Sequence, residues 1–190
     1  MPSISLPVRT PRLTLRDFTS GDFDAIHAYA SDQEVTRFMF HGVRTEADTR
    51  DYLGRMLASQ RQQPRLIWEL GVVVTSAGRL VGACDLTCED EHEGDLGFIF
   101  AKDVWRLGYA SEAARAMVRA GFEQLSLARI VATCDVANAA SARVLEQAGL
   151  QRTATLHRHK YALGAWWTSY RYELRREQWP TTDTPRPSRQ

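Results

Sequence analysis

Apolar positions along the chain recur with two periods, and the changes of period mark its elements. In "RLTLRDF", Leu13 and Leu15 alternate with polar neighbours, the spacing of a half-buried strand. Phe23, Ile26 and Ala30 then fall on one helical face, behind a Thr19 or Ser20 able to cap the helix. Leu53, Met56 and Leu57 predict a second helix, opened by Thr45 and Asp48 as a capping box with Asp in place of Glu. The runs "LIWELGVVV" and "RLVGACDLT" bracket "TSAG", a strand–turn–strand signal. An acidic turn "EDEHEG" leads into the short apolar strand "DLGFIF". A helix follows over "GYASEAARAMVRAGFEQL", then the strand "RIVATCDV" and a helix over "NAASARVLEQAG", with Gly149 as its C-cap. Two last strands fit "RTATLHRHKYAL" and "WTSYRYELR". This order predicts a single α/β (α+β) domain with a mixed sheet of about seven strands and about four helices.

Composition narrows the class. A chain of 190 residues fills one core and is short for two. Its 24 basic and 23 acidic side chains leave a net charge of +1, too small a field to hold nucleic acid or an anionic membrane. No apolar run approaches the ~18 residues of a membrane span. The start "MPSISLPVRTPRL" does not read as a signal peptide, and three cysteines without framework spacing read as reduced thiols. The expected compartment is the cytoplasm. Residues 1–7 read as an N-terminal arm, residues 8–179 as the folded domain, and "PTTDTPRPSRQ" (residues 180–190) as a disordered tail.

The turn before the third helix carries the first chemical signal. A helix N-terminus presents free N–H groups and partial positive charge, a ready site for phosphate. Along Arg106, Leu107, Gly108, Tyr109, Ala110 and Ser111 the amides can point outward, while Gly108 and Ala110 leave room for a diphosphate. There is neither a Walker Lys-Ser/Thr nor a G-x-G-x-x-G, and a plain strand–helix turn stays open at this point.

Five segments at family-like spacings give that turn a family. "WRLGYASEA" from Trp105, "DLGF" at Asp95–Phe98, "NAASARVLEQAGL" at Asn138–Leu150 and the closing Y-x-L-x-R-x-x-W at Tyr172–Trp179 stand behind the opening "TPRLTLRDFTSGD". Together they resemble the GCN5-related N-acetyltransferase superfamily, in its branch that acetylates ribosomal-protein N-termini and small amines. The resemblance spans roughly residues 8–179 and implies a mostly antiparallel sheet with two parallel strands splayed apart. It also implies acetyl-CoA as cosubstrate, with no metal, and a primary amine as acceptor, on a protein N-terminus or a small molecule. A homodimer is left open.

Residue by residue, the resemblance places the pantetheine arm against main-chain groups of Phe98, Ile99 and Phe100, with a strand amide near Ile99 polarising the thioester. Amides from Arg106 to Ser111 would hold the diphosphate, and Asn138 would bond to pantetheine unless it is a simple N-cap. Asp95 would be the base, through water, and Ser141 would hydrogen-bond the departing sulfur. The plainer alternatives are a surface carboxylate and a helix-interior serine. Relatives outside this branch use a Tyr acid at the position held here by Leu145, so that route is absent. Phe40 and His41 fall where the family forms its acceptor wall. Arg106 stands where the branch has glycine, and the turn accommodates it if it keeps negative φ. Arg106 and the unproven base keep open a rival reading, an acyl-CoA-binding regulatory module without turnover.

Three features point elsewhere. Cys84, Cys88 and His92 have a C-x₃-C-x₃-H spacing, but on a strand and turn these do not converge as zinc ligands. Cys134 reads as a buried thiol. His157 and His159 alternate on one strand and are expected to share an exposed face.

Overall fold

Alternating burial builds one eight-stranded sheet in the computed structural model, which describes residues 2–88, 90 and 92–179. A two-residue strand β1 (Val8–Arg9) pairs with β2 (Leu13–Arg16), whose Leu13 and Leu15 are fully buried, as their spacing predicts. Helices α1 (Phe23–Ala30), α2 (Gln33–Thr36) and α3 (Glu46–Ser59) follow, then the antiparallel strands β3 (Ile67–Val74), β4 (Arg79–Thr87) and β5 (Glu93–Phe100). Helix α4 (Tyr109–Glu123), strand β6 (Arg129–Asp135), helix α5 (Ala139–Gln147) and the hairpin β7 (Gln151–Ala162) and β8 (Ala165–Arg175) complete the chain. Spatially the strands run β1-β2-β3-β4-β5-β6-β8-β7. The two elements beyond expectation, β1 and the four-residue α2, are too short to leave a period in the sequence.

Capping follows the sequence closely at α3. The Thr45 hydroxyl accepts from the Asp48 amide at 3.2 Å and the Asp48 carboxylate from the Thr45 amide at 2.9 Å, the expected reciprocal box. Thr19 instead caps a 3₁₀ turn over Ser20–Asp22 that leads into α1. The N-terminal arm is anchored, with Ile4 buried and the Ser5 amide donating to Gln124 at 2.7 Å. Glu89 and Glu91 of the acidic turn, and the tail at 180–190, lie outside the described residues.

Every neighbouring strand pair among the described residues is antiparallel except β5 with β6. That pair holds register only at Glu93↔Arg129, Gly94↔Ile130 and Asp95↔Val131, after which the strands part. Beyond it, β5 stays bonded to β4 as far as Phe100 and β6 to β8 as far as Asp135, so a gap opens in mid-sheet. One core fills the α4–α5 face with Leu70, Val72, Leu86, Phe100, Met117 and Leu145. A second core lies under α1 and α3, with Ile26, Tyr29, Tyr52, Met56 and Ala83. The gap therefore connects two differently covered faces. No helix among the described residues is long and apolar enough to cross a membrane.

Candidate active site

Helix α4 begins beside the open gap. Its N-cap is Gly108 at φ 82, in the left-handed region that glycine takes at no steric cost. The first helical bond runs from the Glu112 amide to the Gly108 carbonyl at 3.0 Å. The amides of Gly108, Tyr109, Ala110 and Ser111 have no acceptor among the described residues. Four free N–H groups at a helix start form an anion site. Leu107 is bent back, its amide donating to Val104 and its carbonyl accepting from the Arg12 guanidinium at 3.0 Å. The Ser111 hydroxyl does not face the turn; it donates to Gln147 at 2.6 Å and ties α4 to α5.

Arg106 does not keep the negative φ that an unstrained arginine at this turn requires. It sits at φ 64 with an exposed side chain, so the turn forms through a strained arginine where glycine would fit freely.

A clamp around Glu112 holds this turn, and the sequence pattern alone does not reveal it. Glu112 accepts from the Thr10 hydroxyl at 2.6 Å, the Arg12 amide at 3.0 Å and the Arg12 guanidinium at 2.6 Å. The same guanidinium lies 4.7 Å from the Tyr109 ring centre. Burial pushes the Glu112 carboxyl up, but these three donors outweigh it and its pKa falls below the usual range. Thr10, Arg12 and Glu112 all lie in the family-like segments, yet their meeting spans about a hundred residues of chain.

The register decides which main-chain groups face the gap. The Ala101 amide donates to Val81 at 2.8 Å, which fixes the antiparallel alternation between β4 and β5. Asp95, Gly97 and Ile99 turn their main chain to β4; Leu96, Phe98 and Phe100 turn theirs to the gap. Of the three expected backbone partners, Ile99 is thus committed to Ala83 on β4, and the open amides are those of Phe98 and Phe100. Trp105 pins the exit of β5 by donating to the Phe100 carbonyl at 2.9 Å.

Across the gap, Asn138 caps α5 by accepting from the Ser141 amide at 3.0 Å, the N-cap role weighed for it. Ser141 is half-buried, one turn ahead of the buried Leu145 and so on the same inward stripe of α5. Its hydroxyl has no hydrogen bond among the described residues. Cys134, nearby on β6, is buried, and burial pushes its thiol up to about 11, which keeps it protonated and a poor nucleophile.

The α1–α3 face carries the acids. Ile99 packs into the core there, so Asp95 and Gly97, two and four residues away, point the same way. Asp95 is exposed at the last β5–β6 pair. Beside it stand Asp85, opposite Gly97, and Glu69, opposite Asp85, neither of which the motifs single out. Burial, then the charges of Glu69 and Asp95, push Asp85 well above the usual carboxylate range. Burial also raises Glu69, against the pull of Tyr52, Arg44 and Arg55.

The loop before α3 reaches the far hairpin. Phe40 packs edge-on against Trp167, with centroids 5.1 Å apart, and Lys160 lies 4.4 Å above its ring. His41 instead bonds its own loop, Nδ1 lying 2.7 Å from the Gly42 carbonyl; burial and Arg44 lower its pKa. His157 and His159 are both exposed, but the regular alternation behind the shared-face expectation is interrupted between them. A register shift between Leu156 and Lys160, with Arg158 at φ 49, breaks the alternation, and His159 pairs with Ser169 at 3.1 Å. Cys84 and Cys88 are buried in the α4-side core, away from any shared cradle.

An α4 N-terminus open beside splayed parallel strands defines an acyl-transferase architecture. The model of the Acetyltransferase (GNAT) domain matches residues 12–151, and the chain belongs to that family. It is 30% identical over 173 residues to the uncharacterized N-acetyltransferase YnaD of Bacillus subtilis (strain 168), covering 90% of this chain and 98% of that one. The structure of a GNAT-family acetyltransferase from Bacillus anthracis superposes with a TM-score of 0.81 at 32% identity, covering 90% of this chain and 98% of that one. A spermidine N-acetyltransferase from Vibrio cholerae, solved with CoA and spermine, shares the fold at a TM-score of 0.75 and 16% identity, over 89% and 98% of the two chains. Ribosomal-protein acetyltransferases stand among the chains of the same fold. The protein is a GNAT acetyltransferase.

Proposed function

We propose that this enzyme moves an acetyl group from acetyl-CoA to a primary amine, by direct attack in a ternary complex. One observation carries the proposal: four unpaired amides at the start of α4 open beside the gap between β5 and β6. The diphosphate would sit on the amides of Gly108 to Ser111, with Arg106 and Leu107 bordering it. The pantetheine would run through the gap as an added strand against Phe98 and Phe100, with Asn138 and Ser141 on its other side. The acyl group then reaches the α1–α3 face, where the Phe98 amide faces the thioester oxygen and stabilises its developing charge. Asp95 takes up a proton through water, Ser141 hydrogen-bonds the departing sulfur, and Phe40 and His41 border the acceptor's approach. Three buried thiols suit a reducing, cytoplasmic setting.

Coenzyme A should raise the melting temperature, because a ligand bound only to the native state stabilises by mass action, ~2.7 kcal/mol at a hundred times its Kd. Gly108→Asp should abolish that rise while the protein stays folded, since the carboxylate would face the diphosphate. No rise at millimolar coenzyme A, or a normal rise in the variant, would sink the binding mode. Thiol release from acetyl-CoA with a panel of amines tests turnover. Binding without release would leave the regulatory module as the function.

A further inference from the structure

We propose that Asp85, backed by Glu69, receives the acceptor's ammonium and takes its proton, and that Asp95 passes that proton to solvent. The inference deepens the acetyl-transfer reading and rests on it. A β carbon on Gly97 would stand 2.3 Å from Asp85 Oδ1, so the carboxylate occupies the space where a side chain on β5 would be. That space adjoins Phe98, whose amide faces the gap. Glu69 lies directly across from Asp85 on β3, and Asp95 lies diagonally across on β5. Asp85 and Glu69 are half-buried side by side on this face of the sheet.

The surrounding groups leave room for a cation. Tyr52 on α3 donates its hydroxyl to Glu69, and Arg44 is stacked 4.0 Å above the Tyr52 ring. Arg55 is exposed on α3. Among the described residues no basic group reaches ion-pair distance of Asp85 or Glu69, and Asp85's one hydrogen bond is a long 3.5 Å contact from Thr87. Tyr29 on α1 adds a second observation near Glu69. It is 3% exposed, its hydroxyl has no partner among the described residues, and Glu69 is the charge acting most strongly on it. A buried phenol without a partner is costly, and an ammonium supplies the donors that two carboxylates and this oxygen accept.

The chemistry suits the position. An ordinary carboxylate titrates near ~4 and draws a proton poorly from an amine titrating near ~8 to ~10. Burial and the charges of Glu69 and Asp95 make the Asp85 carboxylate a stronger base than an ordinary one, and a bound ammonium pairs with that carboxylate before giving up its proton. The ammonium and the Asp85 carboxylate become neutral amine and carboxylic acid. Nitrogen attacks the thioester carbon, the C–N bond forms and the C–S bond breaks. The second N–H proton ends on the thiolate, and Asp85 returns its own proton to water at Asp95.

The test compares wild type, Asp85→Asn and Gly97→Ala, the last displacing the same carboxylate with a methyl group and no change of charge. With the amine that wild type uses best, kcat of Asp85→Asn at neutral pH should fall at least about tenfold and recover above the amine's pKa. The coenzyme A melting shift should be unchanged. Asp85→Asn should also melt at or above wild type, by a margin that grows with pH. An acid whose folded pKa is raised loses stability as pH rises through that pKa, and Asn removes the loss. A wild-type rate at neutral pH with an intact coenzyme A shift overturns the inference, as does a rate loss that persists at alkaline pH. Should Asp85→Asn not fold, Gly97→Ala must show the same pH-dependent loss, or the inference fails. If wild type itself shows neither shift nor thiol release, the acetyl-transfer reading has failed, which is a distinct result.

Discussion

Arg106 is the residue whose backbone contradicts its chemistry. A side chain at φ 64 costs roughly 1–2 kcal/mol, while glycine adds up to ~1 kcal/mol of unfolded-state entropy. Arg106→Gly should therefore hold or gain stability, by no more than about 1 kcal/mol. Coenzyme A affinity should stay within tenfold, because the guanidinium is exposed and has no fixed partner among the described residues. Titrations at low and high salt decide it: a larger loss that shrinks as salt rises would place the guanidinium on a phosphate. Ser141 and Asp95 separate by pH. Ser141→Ala should lower kcat at every pH with binding nearly intact, because its hydroxyl matters as the thiolate leaves. Asp95→Asn should be slow at neutral pH and recover once the amine is neutral on its own. Thiol release against pH shows which profile each variant follows.

At the scale of elements, the clamp between the β1–β2 arm and α4 is the joint that aims the phosphate turn. Glu112→Gln keeps the shape but loses the ionic acceptor for Arg12 and Thr10. With Arg12 half-exposed, a loss of about 1–2 kcal/mol is expected in urea unfolding. Coenzyme A should bind several-fold more weakly, with kcat little changed. Equal affinity in the variant would mean that the turn holds its shape without the clamp. The α3 cap offers a control far from the gap: Thr45→Ala should cost ~1 kcal/mol and leave coenzyme A binding untouched.

The whole molecule balances two kinds of acid. Burial pushes Asp22 up, but the Arg16 guanidinium, at 2.8 Å to both oxygens, and Thr19 hold its pKa below the usual value. Such a group contributes stability fully above its unfolded pKa of ~3.9, and that contribution is lost as pH falls through the lower folded value. Asp22→Asn should thus melt below wild type at neutral pH, with the two curves converging once pH has fallen through that lowered folded value. A constant difference across the acid range would show that its hydrogen bonds, not its charge, set the effect. Asp85 and Glu69, whose carboxyls burial raises, act in the opposite sense and lose stability as pH rises.

Much of this protein is legible in its sequence. Local rules carry the strand periods of Leu13 and Leu15, the Thr45–Asp48 box, Gly149 after α5 and the glycine before α4, because neighbours within a few residues decide them. The family motifs extend that reach to the turn and to Asn138. The short elements β1 and α2 leave no period. The strained φ of Arg106 and the break at Arg158 come from a backbone held by distant partners. Only the strand register turns Phe98 rather than Ile99 toward the gap, and only folding brings Glu112 to Arg12. Asp85 and Glu69 are single polar letters in apolar strands; their meaning arises where β3, β4 and β5 lie side by side opposite an absent side chain at Gly97. Chain neighbours set the elements, whereas juxtaposition across the sheet sets their charges and open hydrogen-bonding groups.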